Sequence, residues 1–242
     1  MKKIILYSAV LLGALQLQAQ KPQKIKPVKK FDTKVAEPSD IALNAAKDGF
    51  WIVGDGGVLY EVNLDGTIRR QADYQGLDCE GVYAEGKYVY VAEELSRKIK
   101  VFDAATLKVV RTLTVPYNGA RNKGYEGIAF NKTNDRFVVV VEKSPINIFE
   151  LDKDFKIVNE INLGNIAKDV SAVTYYNNSI WILSDESMMV FRLNPADYTV
   201  TGSWKLPILN PEGLTFDAEG NMIVLSDDMQ TIYSFTNPEK QQ

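Results

Sequence analysis

The sequence predicts an all-β fold: a five-bladed β-propeller with four-stranded antiparallel blades, the last blade closed by the N-terminal strand. Two observations predict it. The first is a short phrase that opens five successive units: Ser39-Asp40-Ile41-Ala42-Leu43, Glu80-Gly81-Val82-Tyr83-Ala84, Glu126-Gly127-Ile128-Ala129-Phe130, Ser171-Ala172-Val173-Thr174-Tyr175 and Glu212-Gly213-Leu214-Thr215-Phe216. Their first residues lie 41, 46, 45 and 41 positions apart, and a repeat of about 40 to 50 residues built only of short strands marks a propeller. The second is that the last unit stops one strand short, which leaves a sheet edge for another segment to cover. Six blades would require that one unit merge two sheets. A β-sandwich or lipocalin-like barrel would account for many strands but not for the recurring phrase.

The third unit shows the pattern most plainly. Glu126 to Phe130 is its first strand, Arg136 to Val141 the second, Ile146 to Leu151 the third and Lys156 to Leu163 the fourth, with turns at 131–135 and 152–154. Unit one repeats it with Phe50 to Val53, Val58 to Leu64 and Gly66 to Arg69. Unit two has Tyr88 to Ala92, Ile99 to Phe102 and Val109 to Val115. Unit four has Ile180 to Leu183, Val190 to Leu193 and Val200 to Leu206. All are rich in β-branched and aromatic residues and are split by Asp, Asn and Gly, the composition of hairpin-linked strands. At Leu64-Asp65-Gly66-Thr67 the glycine accepts the positive φ of a tight hairpin turn. Unit five has only Leu214 to Phe216, Asn221 to Leu225 and Thr231 to Phe235. Lys26 to Thr33 is the extended segment available to supply its outer strand.

The ends bound the rest. Lys2 and Lys3 precede an apolar run from Ile4 to Leu17 and then Gln18-Ala19-Gln20, the layout of a secretory signal peptide over residues 1–19. The run is short for a membrane span, which needs roughly 20 apolar residues; an uncleaved inner-membrane anchor is the alternative. No Cys stands at the junction to carry a lipid. Residues 20–36 read as a tether and closing strand, 37–238 as the propeller and 239–242 as a solvated tail. The expected location is the periplasm or the cell exterior.

Without residues 1–19 the 28 Lys and Arg fall to 26 against 31 Asp and Glu, a formal charge of -5. That balance argues against nucleic acid, whose backbone demands a basic footprint. Cys79 is the single cysteine and reads as a buried small hydrophobe. There is no histidine, which removes histidine acid–base chemistry, Ser-His-Asp triads and His-rich zinc or haem sites.

What remains is carboxylate chemistry. In a blade the first strand is innermost and the second runs back beside it, so the start of one and the end of the other share a face. The starts carry Ser39, Glu80, Glu126, Ser171 and Glu212; the ends carry Asp55, Glu93, Glu142, Asp185 and Asp227. Asp78 and Asp169 stand two residues before their phrases and Asn210 takes that place in the last unit. Carboxylates crowded at one mouth raise one another's pKa or recruit a cation. An all-oxygen set suits a hard ion, Ca²⁺ before Mg²⁺. The candidate ligands are Glu80, Glu126, Glu212, Asp185 and Asp227. The other readings are that the acids brace neighbouring blades, or bind a cationic or polyhydroxyl ligand directly. Arg97, Lys98, Lys123 and Lys143 lie close enough in sequence to neutralise some of them. Arg121 and Lys123, in the long loop after blade two, are candidate contacts for an anionic ligand.

The phrases Cys79-Glu80-Gly81-Val82, Tyr125-Glu126-Gly127-Ile128-Ala129-Phe130, Leu183-Ser184-Asp185-Glu186-Ser187 and Asn210-Pro211-Glu212-Gly213-Leu214 resemble the SdiA-regulated, or YjiK-like, family over nearly all of residues 30 to 237. The resemblance implies an exported or membrane-anchored bacterial propeller. One branch of that family is linked to calcium-responsive behaviour, and relatives are grouped with phytase-like and other calcium-dependent propellers. Carried onto this chain, the pattern points to Glu80, Glu126 and Glu212 with Asp185 and Asp227. The chain departs from it where Ser39 is followed by Asp40 and Ser171 by Ala172 rather than by Gly, changes expected to touch backbone packing more than ligand chemistry.

The leading expectation is therefore an exported, non-enzymatic, monomeric propeller that binds Ca²⁺ on its acidic face, together with an unidentified protein or small molecule of the cell envelope. The alternative is a metal-dependent phosphoesterase or lactonase, with Glu126 or Glu212 as the general base.

Overall fold

The computed structural model describes residues 22–115, 124–142, 145–164 and 166–241, and the protein is a five-bladed β-propeller. The inner strands are Pro38–Leu43, Cys79–Glu85, Gly127–Asn131, Ala172–Tyr176 and Pro211–Phe216, each leading outward through antiparallel neighbours. In blade three, Arg136–Val141, Asn147–Leu151 and Ile157–Asn162 follow in that order. The signal segment and the basic loop carrying Arg121 and Lys123 lie outside the described residues.

The ring closes as the short fifth unit requires. Lys29–Asp32 pairs antiparallel with Thr231–Phe235, and Phe31 stands opposite Ile232. The N-terminal segment does more than close blade five. Gln23–Lys24 lies parallel against Val200–Lys205 as a fifth strand on blade four, and Ile25 is buried beside Trp204. One end of the chain thus laces two blades. The other end is also fastened: Glu239, in a single 3-10 turn, meets Arg192 of blade four at 2.7 Å and accepts from Asn177 at 2.9 Å.

The core consists of five apolar clusters, one at each seam between blades. Strand alternation builds them, because successive side chains point to opposite faces. In Arg136–Val141, Phe137, Val139 and Val141 face blade two, whereas Val138 and Val140 face blade four. Ile180 and Ile182 likewise face blade three, and Trp181 and Leu183 face blade five. The second strands therefore read as continuous apolar runs, since both of their faces are covered.

The phrase's glycines set how closely the inner strands approach. A Cβ on Gly81 would lie 2.8 Å from the Cα of Gly127, and one on Gly213 would lie 2.9 Å from the nitrogen of Ile41. Backbone cannot yield there as a side-chain tip can. Gly81→Ala is expected to cost about 1–3 kcal/mol, the usual range for overpacking, measured as a lowered denaturant midpoint; an unchanged midpoint would refute the close-approach argument.

Candidate functional site

Each inner strand begins with a local distortion that aims one residue into the channel mouth. Pairing shifts between Pro38 and Asp40, between Cys79 and Gly81, and between Pro211 and Gly213, so Ser39, Glu80 and Glu212 are extra residues in β-bulges. Glu126 donates its N–H to Val140, the residue already opposite Gly127, and Ser171 donates to Leu183, already opposite Ala172. Bulges of this kind re-aim side chains. Ahead of three of them, Glu37, Asp78 and Asn210 hold positive φ of 44°, 58° and 41°. Their carbonyls accept the N–H groups of Asp55, Glu94 and Asp227, which ties the strand-end acids to the strand-start acids.

These distortions place the acids together. Nine carboxylate residues and two serines line a cavity of about 270 Å³ at this mouth, and among the described residues no basic side chain lines it. All five candidate ligands, Glu80, Glu126, Glu212, Asp185 and Asp227, stand on this one cavity, along with Asp55, Glu142 and Asp169.

Glu93 does not. Its buried carboxylate turns away to accept from Tyr74 and Ser96, both at 2.5 Å, with Lys100 at 3.8 Å. Glu94 takes the place in the mouth. The reason is register: Glu93 pairs with Cys79 as Gly54 pairs with Pro38 and Ser226 with Pro211, so the residue matching Asp55 and Asp227 is the one after it. Counting from the repeat's paired residues rather than from the first acid would have found Glu94.

Burial and mutual repulsion govern the electrostatics. Glu80 is pushed up to about 10, first by burial and then by Glu126, Asp55 and Asp78. Glu126 rises to about 9 through burial, then Glu94 and Glu142. Glu212 rises to about 8 through burial, then Asp227 and Asp169. Burial also raises Glu94 and Asp227. The carboxyl groups of Glu80, Asp78, Glu94 and Glu126 follow one another within hydrogen-bonding range, a chain that holds together only if protons or a cation are shared along it. Asp169, also raised by burial, binds the Ser184 hydroxyl and accepts from the Glu186 N–H.

Among the described residues, two groups are compact enough to hold a metal ion. Asp78, Glu80 and Glu94 each offer an oxygen within 4.8 Å of the others, and so do Glu142, Asp169 and Glu186. The first triplet lies within blade two and the residue that leads into it, whereas the second spans the seam between blade three and blade four. An all-carboxylate donor set fits a hard divalent ion without selecting Ca²⁺. Of the five candidate ligands only Glu80 falls within a triplet; Asp78, Glu142 and Asp169 were expected at the rim but not as ligands, and Glu94 and Glu186 were not expected there at all.

Below the mouth the channel holds one more acid. Asp40 is 1% exposed and occupies the phrase position that is Gly or Ala in the other blades. Its carboxyl accepts N–H groups from Ile41 at 2.8 Å, from Val82 of blade two at 2.8 Å and from Leu214 of blade five at 3.4 Å. The departure from Gly is therefore a bolt across three inner strands. At the far end the channel opens into a cavity of about 560 Å³ walled by Tyr83, Phe130, Tyr175, Tyr176 and Phe216. Cys79 is buried, and burial with the nearby Glu93 raises its thiol far from the reactive range.

Two solved structures show how this architecture recurs. The glutaminyl cyclase of Myxococcus xanthus superimposes with a TM-score of 0.71 at 13% identity, over 89% of this chain and 97% of that one. The Cps50 (Swd1) β-propeller domain of Myceliophteria thermophila gives 0.50 at 12% identity, over 83% of this chain and 66% of that one. At such identities the likeness is one of fold. The family profile described as SdiA-regulated matches residues 16–236, the span that holds every blade and every acid of the mouth. The chain belongs to the SdiA-regulated family.

Proposed function

We propose that the acidic mouth is the reaction site of an exported, metal-dependent hydrolase acting on an uncharged ester of the lactone type. The observation that carries this reading is the set of half-buried glutamates, aimed by bulges into one cavity that no described basic side chain lines. A phosphoester would bring its own negative charge among nine carboxylates, so a lactone suits the cavity better. A divalent ion, when bound, would supply polarisation of the ester carbonyl and a more acidic water. The triplets Asp78, Glu80, Glu94 and Glu142, Asp169, Glu186 are the groups that would hold it.

The remaining work falls to this chain's own residues. Glu212, pushed to about 8, is poised near neutrality and suits the general base better than Glu126 at about 9. The hydroxyls of Ser39 and Ser171 donate to Asp55 at 2.5 Å and to the Pro211 carbonyl at 3.1 Å, which leaves each oxygen free to accept from the attacking water. The fold shared with a glutaminyl cyclase supports catalysis on such a scaffold.

A second reading is an ion-binding propeller that recognises a partner without turning it over. The placement of Glu142, Asp169 and Glu186 across the seam between blades three and four favours it, because an ion there would brace the ring. Calorimetric titration with Ca²⁺ and Mg²⁺, followed by turnover assays on lactones, phosphoesters and a peptide with N-terminal glutamine, separates the two. Glu212→Gln is expected to lower lactone turnover by about 10²-fold or more, the scale of a lost general base, while leaving ion affinity within a few-fold. Ion binding with no turnover of any substrate would leave the bracing role and remove the hydrolase.

A further inference from the structure

Large exposed apolar side chains are distributed unevenly over this molecule. Ile68, Val110, Val158 and Val200 lie one apiece on the fourth strands of blades one to four, and Val28 and Leu64 stand beside Phe31 away from the acidic face, scattered residues of an ordinary kind. Leu77, Leu95, Leu209 and Met229 differ. They are 60%, 47%, 64% and 52% exposed, and all four stand in loops of the acidic face. Leu77 precedes Asp78, Leu95 follows Glu94, Met229 comes two residues after Asp227, and Leu209 three before Glu212.

Their loops are held in place. The Glu94 N–H donates to Asp78, the Asp227 N–H to Asn210 and the Ser226 hydroxyl to Leu209. The leucines are therefore presented on fixed backbone, at little entropic cost to a partner. They form two shoulders, on blades two and five, to either side of blade one. Blade one has no large exposed apolar residue at its own hairpin, where Asp55-Gly56-Gly57 precedes a half-buried Val58 and a Cβ on Gly56 would meet nothing within 4 Å. Blade one thus lies between the two shoulders and contributes Ser39 and Asp55 to the acidic mouth.

We propose that this face docks a polypeptide segment in which a lysine or arginine is flanked by apolar side chains. The basic group enters the acidic mouth from the blade-one side, and its apolar neighbours settle on Leu77 and Leu95 to one side and on Leu209 and Met229 to the other. Charge complementarity selects the basic residue, and exposed apolar groups rimming a polar site are what a protein partner covers. The proposal rests on the mouth admitting a cation, as in the reading above, but not on hydrolysis.

The test is fluorescence anisotropy of the purified protein with a terminally blocked, labelled peptide of the form Leu-Ala-Lys-Ala-Leu, and with the same peptide carrying norleucine for lysine. Both are measured in Ca²⁺ and in EDTA. The lysine peptide is expected to bind about tenfold or more tightly than the neutral one, and the paired change Leu77→Ser with Leu209→Ser to weaken it about tenfold. Calorimetric Ca²⁺ affinity of the same variant is expected to stay unchanged, so failure of the docking surface and failure of the ion site give different results. Equal binding of the two peptides, or lysine binding indifferent to the double change, overturns the proposal. So does binding to neutral lipid vesicles in place of peptide, which would make the shoulders a membrane contact.

Discussion

Replacing Asp40 by Ala is expected to lower stability by about 3 kcal/mol and the melting temperature by roughly 6–12 °C for a domain of this size. The carboxyl accepts three backbone N–H groups, from Ile41, Val82 and Leu214. Alanine leaves those donors without their acceptor inside the channel, and an unmet buried donor costs about 1–3 kcal/mol. The effect concentrates where it matters most for a ring, since blade five meets blade one at the joint between the last and first units. Val35, Ile41 and Ile52 face Ile223, Leu225 and Ile232 across that seam, in a cluster smaller than the others. Asp48→Ala is the control, a fully exposed acid held by Asn44 and Arg69 at the surface. Thermal melts that show D40A and D48A equally close to the parent would refute the bolt.

In metal-free protein, stability is expected to fall steadily from pH 5 to pH 9. The glutamates of the mouth bind protons more tightly folded than unfolded, with Glu80, Glu126 and Glu212 lifted from 4.5 to about 10, 9 and 8. Stability rises with pH only where the unfolded chain holds more protons; here the folded chain holds more. The contribution is complete below about 4.5 and is lost as pH climbs through the folded values. Exposed acids pull the other way only at lower pH: Asp48, Asp65, Asp103 and Asp197 are all lowered, each first by a hydrogen bond, so what they contribute is lost as pH falls. Melts in EDTA at pH 5, 6.5 and 8, repeated with Ca²⁺, check this. The ion is expected to restore stability at pH 8, because it replaces the protons, and paired Glu126→Gln and Glu212→Gln changes should flatten the EDTA profile. A melting temperature that rises with pH in EDTA would contradict the repulsion on which the whole site reading depends.

The acids' convergence was legible because the repeat is regular. Glu80, Glu126 and Glu212 share one phrase position, and fivefold repetition carries any such position to a common ring. Glu94 was not legible from the nearest acid, since Glu93 and Glu94 are adjacent and only strand pairing tells which faces the channel. The tail at Glu239 reads as solvated in sequence, yet Arg192 and Asn177 hold it; a lone ion pair between distant positions leaves no periodic trace. Gln23–Lys24 on blade four is similar, because two residues of parallel pairing depend on where another blade's edge lies.

By itself the sequence determined the blade count, the strand order, the closing role of the N-terminal segment and the face that gathers negative charge. Each is a consequence of local periodicity repeated at a fixed interval. Only the tertiary structure decided which oxygens come within reach of one another, that Asp40 joins three strands, and that leucines flank the acidic mouth. Those facts depend on bulges and turns that rotate single residues by one position, and a one-residue change of register sends a side chain to the opposite face.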